Sequence, residues 1–191
     1  MRLFVGIDVG PDIQRAAARV IDELKGRVER TAPRARVSWV KPERLHVTLR
    51  FIGEADEGLS RTILAAFEGP LSTSPFDLQV EGTGSFPPGR PPRVVWAGLT
   101  TGVEHLRAVE QEVRSRLDPL PVAREDRAYN PHLTLARVKY PDGIRPATLL
   151  AGFEDVVFGT VHVEAVTLFE SRLSSAEPAY VAMGRASLRH A

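Results

Sequence analysis

The chain has 191 residues, of which 43% are hydrophobic and 26% are charged, a composition typical of a folded globular protein and not of a disordered or fibrous one. The formal net charge of +1 excludes a strongly basic nucleic-acid coat, so any contact with nucleic acid must be local. The chain contains no cysteine, which excludes disulfides, thiolate nucleophiles, zinc ribbons and iron–sulfur clusters.

The first half of the chain predicts strands and helices in alternation. A compact apolar run at residues 3–9 is typical of a buried strand. Apolar residues then recur every three or four positions from 11 to about 30, which predicts a helix. The elements expected next are a short strand at 37–40, a strand at 45–52, a helix at about 57–68 and a half-buried strand at 76–81.

Residues 83–93 are predicted to form a loop near the middle of the chain, because they hold four prolines and two glycines. Two interpretations of this loop stay open at this point. It is either a stiff connector or a segment that covers a site and offers Arg90 to a phosphate.

The second half repeats the order of the first. The pattern predicts a strand at 93–99, then a helix whose apolar face runs from Val103 to Leu117, then a polar loop at 118–131. The alternation of apolar residues later slips phase at Val166, which we interpret as a bulge. The remaining expected elements are a strand at 132–139, a weak short helix, one or two strands at 156–169 and a last strand at 179–183.

No segment is expected to cross a membrane or to direct secretion. No apolar run approaches the roughly 18 residues of a membrane span. Asp8 interrupts the apolar N-terminal segment before it reaches the length of a signal-peptide core. We therefore expect a cytoplasmic protein without a membrane partner and, since no long coiled-coil seam is present, a monomer.

The matching order of elements indicates an internal duplication. Each half contains a strand, a helix, a loop and a strand with a histidine, and the two histidines, His46 and His132, are 86 residues apart. We predict an α+β fold in which antiparallel sheets line a central cleft and helices lie on the outside. The chain is then one domain, 1–191, made of two pseudo-symmetric lobes at about 1–90 and 91–191, whose terminal strands can cross over. From the elements alone, a coincidence of two similar topologies stays open.

Two strands at equivalent positions of the halves carry the same motif, His-apolar-Thr-Leu, at 46–49 and 132–135. Side chains on a strand alternate between faces, so His46 points to the same side as Thr48, and His132 to the same side as Thr134. Two such motifs arise by chance in roughly one of a few thousand shuffled sequences. If the strands meet around a two-fold axis, two imidazoles and two hydroxyls converge on one cleft.

This set of groups suits the cleavage of a phosphodiester. One imidazole can act as general base toward water while the other, protonated, gives a proton to the leaving oxygen. The Thr48 and Thr134 hydroxyls can donate to the non-bridging oxygens, whose charge grows in the transition state. Two histidines alone make a weak metal site, so we expect neither a metal nor another cofactor. The other histidines, His105, His162 and His190, are interpreted as ordinary structural or exposed residues.

The sequence resembles the RNA 2′,3′-cyclic phosphodiesterases of bacteria and archaea, also described as LigT-like or 2′-5′ RNA ligase-like proteins of the two-histidine phosphoesterase superfamily. Both motifs carry the resemblance, which extends over nearly the whole chain. The similar segments are 2–8, 39–53, 86–87, 92–96, 131–138, 168–173 and 178–180.

The resemblance implies a bilobal fold and the hydrolysis of a terminal 2′,3′-cyclic phosphate, on RNA or on a nucleoside, to a 2′-phosphate. It implies that His46 donates a proton and His132 accepts one, while Thr48 and Thr134 bind the phosphate. It also implies a weak, reversible 2′-5′ RNA ligase activity of the same site.

Four further residues are candidates for substrate contacts. The resemblance implies that Phe51 and Arg137, each five positions after its motif histidine, flank the terminal base. On a regular strand this odd offset points away from the cleft, so a bulge or a strand end is needed. Arg50, at the even offset, is expected to share the face of His46, either reaching the RNA backbone or exposed at an edge. Tyr129 keeps the aromatic residue of a segment, 127–131, that otherwise departs from the family pattern.

Two other functions stay open on the sequence. The chain could be a module that binds RNA ends or nucleotides without catalysis, although pure binding would tolerate arginine or lysine in place of the histidines. It could also cleave another phosphodiester, such as ADP-ribose cyclic phosphate or a U-tailed RNA, with the same residues.

Overall fold

The computed structural model describes residues 1–125, 127–172 and 179–189. Within these ranges the chain forms nine strands and four α-helices. The strands are β1 (Arg2–Asp8), β2 (Arg36–Trp39), β3 (His46–Glu54), β4 (Phe76–Phe86), β5 (Val94–Leu99), β6 (Leu133–Tyr140), β7 (Val157–Val163), β8 (Ala165–Arg172) and β9 (Ala179–Ser187). The helices are α1 (Gly10–Thr31), α2 (Glu57–Ala66), α3 (Val103–Leu117) and α4 (Pro146–Leu150), and a 3₁₀ turn covers Pro42–Arg44.

The helices form where apolar residues recur with helical spacing. Helix α1 starts with a proline in its first turn and buries one face, and α3 likewise buries one face, with residues such as Leu106 and Val113. Helix α2 is capped by Asp56, whose carboxylate accepts a hydrogen bond of 2.8 Å from the Leu59 N–H. Across the described residues, each helix is too short or too polar to span a bilayer.

All strands named above pair in one antiparallel sheet, in the order β7-β4-β5-β6-β3-β1-β8-β9, with β2 joined to β6. The predicted α+β class with antiparallel sheet is confirmed. The two motif strands, β3 and β6, are neighbours in the middle of this order, and they pair at Val47 and Leu133. The site therefore lies where the two halves of the sheet meet.

The predicted loop at 83–93 is too long, because Thr83 to Phe86 continue strand β4 and pair with β5. The reason lies in the partner strand. The Trp96 ring occupies the space that a Cβ at residue 84 would fill, so Gly84 serves the pairing of a large ring and does not mark a turn. Arg90 is exposed in the remaining loop, and its contact with a phosphate stays a prediction.

The predicted bulge at Val166 is also wrong, because the phase slip marks a passage between the two halves of the sheet. Glu164 separates β7, which pairs with β4, from β8, which pairs with β1. The last strand extends to Ser187 because it pairs with β8 as far as Ala165. Two residues of the C-terminal similarity, Leu173 and Pro178, lie outside the described residues.

Candidate active site

The four motif side chains lie on one face of the sheet, at the junction of its halves. Val47 and Leu133 face each other and are fully buried on the opposite face. Continuing this antiparallel register places His46 opposite Thr134 and Thr48 opposite His132, with all four side chains on the other face. His46 and His132 are therefore diagonal neighbours across the pairing of Val47 with Leu133.

A bulge follows each threonine at the same position. In β3, Val5 pairs with Arg50 and Gly6 with Thr48, which leaves Leu49 unpaired. In β6, Val95 pairs with Ala136 and Trp96 with Thr134, which leaves Leu135 unpaired. A bulge shifts the alternation of side chains by one residue. The two halves therefore share an irregularity of the strand as well as a motif.

The bulges place Phe51 and Arg137 on the face of the histidines. Both side chains are exposed, whereas the preceding residues, Arg50 and Ala136, are buried. The bulge that the odd offset requires is thus present in both strands. Because of it, the expected position of Arg50 is wrong: its side chain is 3% exposed, and its Nη2 donates to the Ala123 carbonyl oxygen at 2.7 Å.

Both imidazoles are held in the same way. His46 Nδ1 lies 2.8 Å from the carbonyl oxygen of Arg44, and His132 Nδ1 lies 2.7 Å from that of Asn130. A carbonyl oxygen only accepts hydrogen bonds, so Nδ1 is the donor in each ring. The Nε2 atoms are then left to accept a proton in the neutral ring, or to donate one in the protonated ring.

The protein keeps both imidazoles biased toward the neutral form. Burial lowers the pKa of His46 and of His132, while their backbone hydrogen bonds raise it. The Arg137 guanidinium further lowers the pKa of both rings, and Asp8 raises that of His46.

Aromatic rings surround His46. The Phe4 ring lies 4.7 Å from the imidazole and the Tyr180 ring 5.2 Å, and Phe4 in turn stacks on Phe169 at 5.1 Å. Around His132, Phe86 approaches edge-on at 5.2 Å. These aromatic rings account for part of the burial of the two imidazoles.

Two adjoining cavities open on this face. One, of about 580 Å³, is lined by His46, Thr48, Thr134, Phe51 and Arg137, together with Arg2 and Arg44. The other, of about 430 Å³, is lined by His132, Phe86 and Asn130, and it shares Thr48 and Phe51 with the first. The two cavities therefore form one cleft with a histidine in each part.

Comparison with known proteins agrees with this arrangement. Residues 11–174 match the family described as the 2′-5′ RNA ligase superfamily. The chain belongs to this superfamily. It is 35% identical over 189 residues to a protein of Methanothermobacter thermautotrophicus named RNA 2′,3′-cyclic phosphodiesterase, and the match covers 96% of each chain.

Solved structures of similar proteins have the same fold. A crystal structure of a Thermus thermophilus protein superimposes with a TM-score of 0.78 at 28% identity, covering 99% of this chain and 98% of that one. E. coli LigT, crystallised with 3′-AMP, gives a TM-score of 0.72 at 23% identity with the same coverage.

Tyr129, predicted to contact substrate, makes a contact within the protein. Its hydroxyl donates to the Thr48 carbonyl oxygen at 3.1 Å, and burial raises the pKa of this phenol. The ring also lines the second cavity, so the predicted substrate contact stays a prediction.

The remaining histidines lie away from the motif strands. His105 stacks on Phe76 at 5.3 Å, and His162 pairs with Asp77 at 2.7 Å on the surface. His190 lies outside the described residues. A further cavity beside His162 is lined by Asp8, Glu164 and Arg185, and its lining residues lie outside the two motifs.

Two kinds of site residue are not predictable from local sequence patterns. The aromatic rings of Phe4 and Tyr180 reach His46 only through strand pairing, since they belong to β1 and β9. The carbonyls of Arg44 and Asn130 are backbone groups without a side-chain signature. The sequence holds one signal of these carbonyls, because each belongs to the residue two positions before a motif histidine.

Proposed function

We propose that this chain hydrolyses the 2′,3′-cyclic phosphate at an RNA end, or of a nucleoside, to a 2′-phosphomonoester. The observation that carries the proposal is the placement of two identically oriented imidazoles and two threonines on one sheet face. The name of the Methanothermobacter relative and its near full-length similarity support the same reaction.

In the proposed reaction His132 accepts a proton from water as the water oxygen bonds to phosphorus. The P–O3′ bond breaks on the opposite side, and His46 gives its proton to the leaving O3′. The products are a 2′-phosphate and a free 3′-hydroxyl. Thr48 and Thr134 donate to the non-bridging oxygens, and strand backbone holds these β-branched side chains with little loss of entropy.

Charge around the rings supports the assignment of His46 as the proton donor. Burial lowers the pKa of His46, and the carboxylate of Asp8, which pairs with His46 across strands β1 and β3, opposes part of this lowering. Within residues 1–125, 127–172 and 179–189, the groups that act on the pKa of His132 besides burial are the Asn130 carbonyl and the Arg137 guanidinium. The negative charge of a bound phosphate raises the pKa of both rings, and the Asp8 carboxylate acts on His46 in the same direction.

Phe51 and Arg137 are proposed to hold the terminal base. Both are exposed on the catalytic face and line the cavity that contains His46. A phenyl ring on one side and a guanidinium on the other can each stack on a base of any identity. A 5′-hydroxyl that replaces water at the same phosphorus would give the weak 2′-5′ ligation that the superfamily's name describes.

The chain is proposed to act without a metal or another cofactor, as a cytoplasmic monomer. The near-zero net charge supports short substrates or RNA termini, since it limits unspecific affinity for long RNA.

The experiment that tests the function is turnover of an oligonucleotide with a 2′,3′-cyclic phosphate end, with the position of the product phosphate determined. We expect a 2′-phosphate and activity in the presence of a chelator. A 3′-phosphate product would contradict the proposed cleavage of P–O3′. Binding of the oligonucleotide without turnover would favour the binding-module alternative.

A further inference from the structure

Two side-chain hydrogen bonds tie strand β3 to the loop at 118–131. Arg50 on β3 donates from Nη2 to the Ala123 carbonyl oxygen of the loop at 2.7 Å. Tyr129 of the loop donates from its hydroxyl to the Thr48 carbonyl oxygen of β3 at 3.1 Å. The strand and the loop therefore each donate one of these hydrogen bonds and accept the other.

This loop determines the orientation of a catalytic imidazole. Asn130, which follows Tyr129, supplies the carbonyl oxygen that receives the His132 Nδ1 proton at 2.7 Å. His132 itself precedes the first residue of β6. A movement of the loop therefore changes the direction of the His132 ring.

Backbone pairing contributes little at this point of the sheet. Strands β3 and β6 pair at Val47 and Leu133, whereas β1 and β3 pair along seven residues of β1. Helix α3 holds the loop from its other side, through Arg107 to the Tyr129 carbonyl and Arg114 to the Glu125 carbonyl. The bonds of Arg50 and Tyr129 join the loop to the strand of His46.

Stability alone does not explain a buried arginine here. The Arg50 side chain is 3% exposed, and its Nε and Nη1 have no hydrogen-bond partner among the described residues. Removing a charge and two donors from water without partners is costly, and an apolar residue of similar volume is often as stable or more so. Glu110 lies near: burial raises the pKa of its carboxyl, and neighbouring guanidinia, including that of Arg50, oppose the rise.

We propose that Arg50 and Tyr129 are positioning residues, which act through the 118–131 loop to hold His132 at a fixed distance and angle from His46. This inference rests on the proposed function, since it assigns the two residues a role in the same reaction. Neither residue needs to touch the reacting atoms. Their effect is on the geometry of the acid–base pair, to which proton transfer is steeply sensitive.

The first test is Arg50→Met, with Arg61→Met on the exposed face of α2 as the matched control. We expect kcat to fall about tenfold or more with KM nearly unchanged, while the melting temperature is retained or rises. The control should leave both unchanged. A normal kcat in folded Arg50→Met would overturn the proposal.

The second test is Tyr129→Phe, which removes one hydroxyl and keeps the ring, so folding is not at risk. Tyr140→Phe, at an exposed tyrosine of β6, is the control. We expect Tyr129→Phe to lower kcat about three- to tenfold and to speed amide exchange in the 118–131 loop. Unchanged kcat and exchange would contradict the proposal even if Arg50→Met failed to fold.

The two proposals fail differently. If the unmodified protein does not turn over the cyclic-phosphate oligonucleotide, the proposed function fails. If it does so and either folded variant matches it in kcat, the function stands and the joint positioning role is refuted.

Discussion

The two motif histidines occupy equivalent positions but have different surroundings. His46 is fixed by the carbonyl of a 3₁₀ turn and lies among the rings of Phe4 and Tyr180. His132 is fixed by the carbonyl of an irregular loop and contacts Phe86. The residues opposite the threonines differ as well, with Gly6 facing Thr48 in the pairing of β1 and β3 and Trp96 facing Thr134 in that of β5 and β6.

The difference between the two rings shows what each level of structure contributes. The repeated motif and the repeated bulge give two imidazoles and two hydroxyls the same arrangement. The surroundings then distinguish the rings, because the Asp8 carboxylate acts on the pKa of His46, whereas the described groups that act on the pKa of His132 are the Asn130 carbonyl and the Arg137 guanidinium. Symmetric positions with asymmetric charge suit the proposed roles of one ring as acid and the other as base.

The largest effect is expected from removing either imidazole. His46→Ala and His132→Ala should each lower kcat by about 10²- to 10⁴-fold, the range for loss of a general acid or base. Steady-state kinetics on a nucleoside 2′,3′-cyclic phosphate measures this, and circular dichroism checks that the fold is retained. Near-normal turnover by either variant would show that the reaction does not need both histidines.

The pH dependence of kcat/KM should be bell-shaped, with its maximum on the acid side of about pH 6.5. The base must be neutral, so the rate falls as pH drops through the lowered pKa of the base. The acid must be protonated, so the rate also falls as pH rises through the lowered pKa of the acid. Each limb should approach tenfold per pH unit, and a profile flat from about pH 5 to 8 would contradict two titrating rings.

Loss of the Phe51 ring should weaken substrate binding more than catalysis. Stacking on one aromatic ring contributes about 1–3 kcal/mol per base, so Phe51→Ala is expected to raise KM about tenfold with a smaller change in kcat. Tyr140→Ala, at an exposed ring away from the cavities of the motifs, is the control. An unchanged KM would show that the terminal base lies elsewhere.

Asp8→Asn separates the roles of the two rings. The substitution removes a charge that raises the pKa of His46 and keeps an oxygen for the Gly10 N–H. If His46 is the acid, the alkaline limb of the profile should move to lower pH, with the acidic limb unchanged. Movement of the acidic limb alone would assign His46 as the base and reverse the mechanism.

The smallest effect is expected at Gly6, where the halves differ in the residue facing a threonine. A Cβ at this position would lie 3.3 Å from Cδ2 of His46 and 3.0 Å from the Val47 carbonyl oxygen, so the ring must shift by a few tenths of an ångström. We expect Gly6→Ala to lower kcat about two- to fivefold. The matched control is Gly58→Ala on α2. Gly53→Ala is not a suitable control, because Gly53 has a positive φ that an alanine rarely adopts. Kinetics and thermal melting of both variants check this.

Local sequence patterns are enough to predict those elements whose structure depends mainly on their own residues. Helices α1 and α3 follow from apolar spacing, and the two motifs indicate their faces because side chains alternate along a strand. The order of strands and the place where β7 gives way to β8 depend on partners far away in the chain. The change in the alternation of apolar residues at Val166 fits either a bulge within one strand or a passage from one half of the sheet to the other. Only the strand partners of β7 and β8 decide between the two.

The position of Arg50 shows the same limit within the site. Its even offset from His46 predicts a shared face, and the offset of Phe51 predicts the opposite one. The bulge at Leu49 reverses both, and it depends on how Val5 and Gly6 pair with β3. The histidines and threonines precede the bulges, so their common face could be predicted from sequence, whereas the residues after them required the structure.

The most direct test of an acid and a base on opposite sides of one phosphorus is the stereochemistry at that atom. A single diastereomer of a nucleoside 2′,3′-cyclic phosphorothioate can be opened by this protein in ¹⁸O-labelled water and the product configuration determined. In-line attack of water, with the two imidazoles on opposite sides, predicts inversion. Retention would require two successive displacements through a covalent intermediate and would contradict the account.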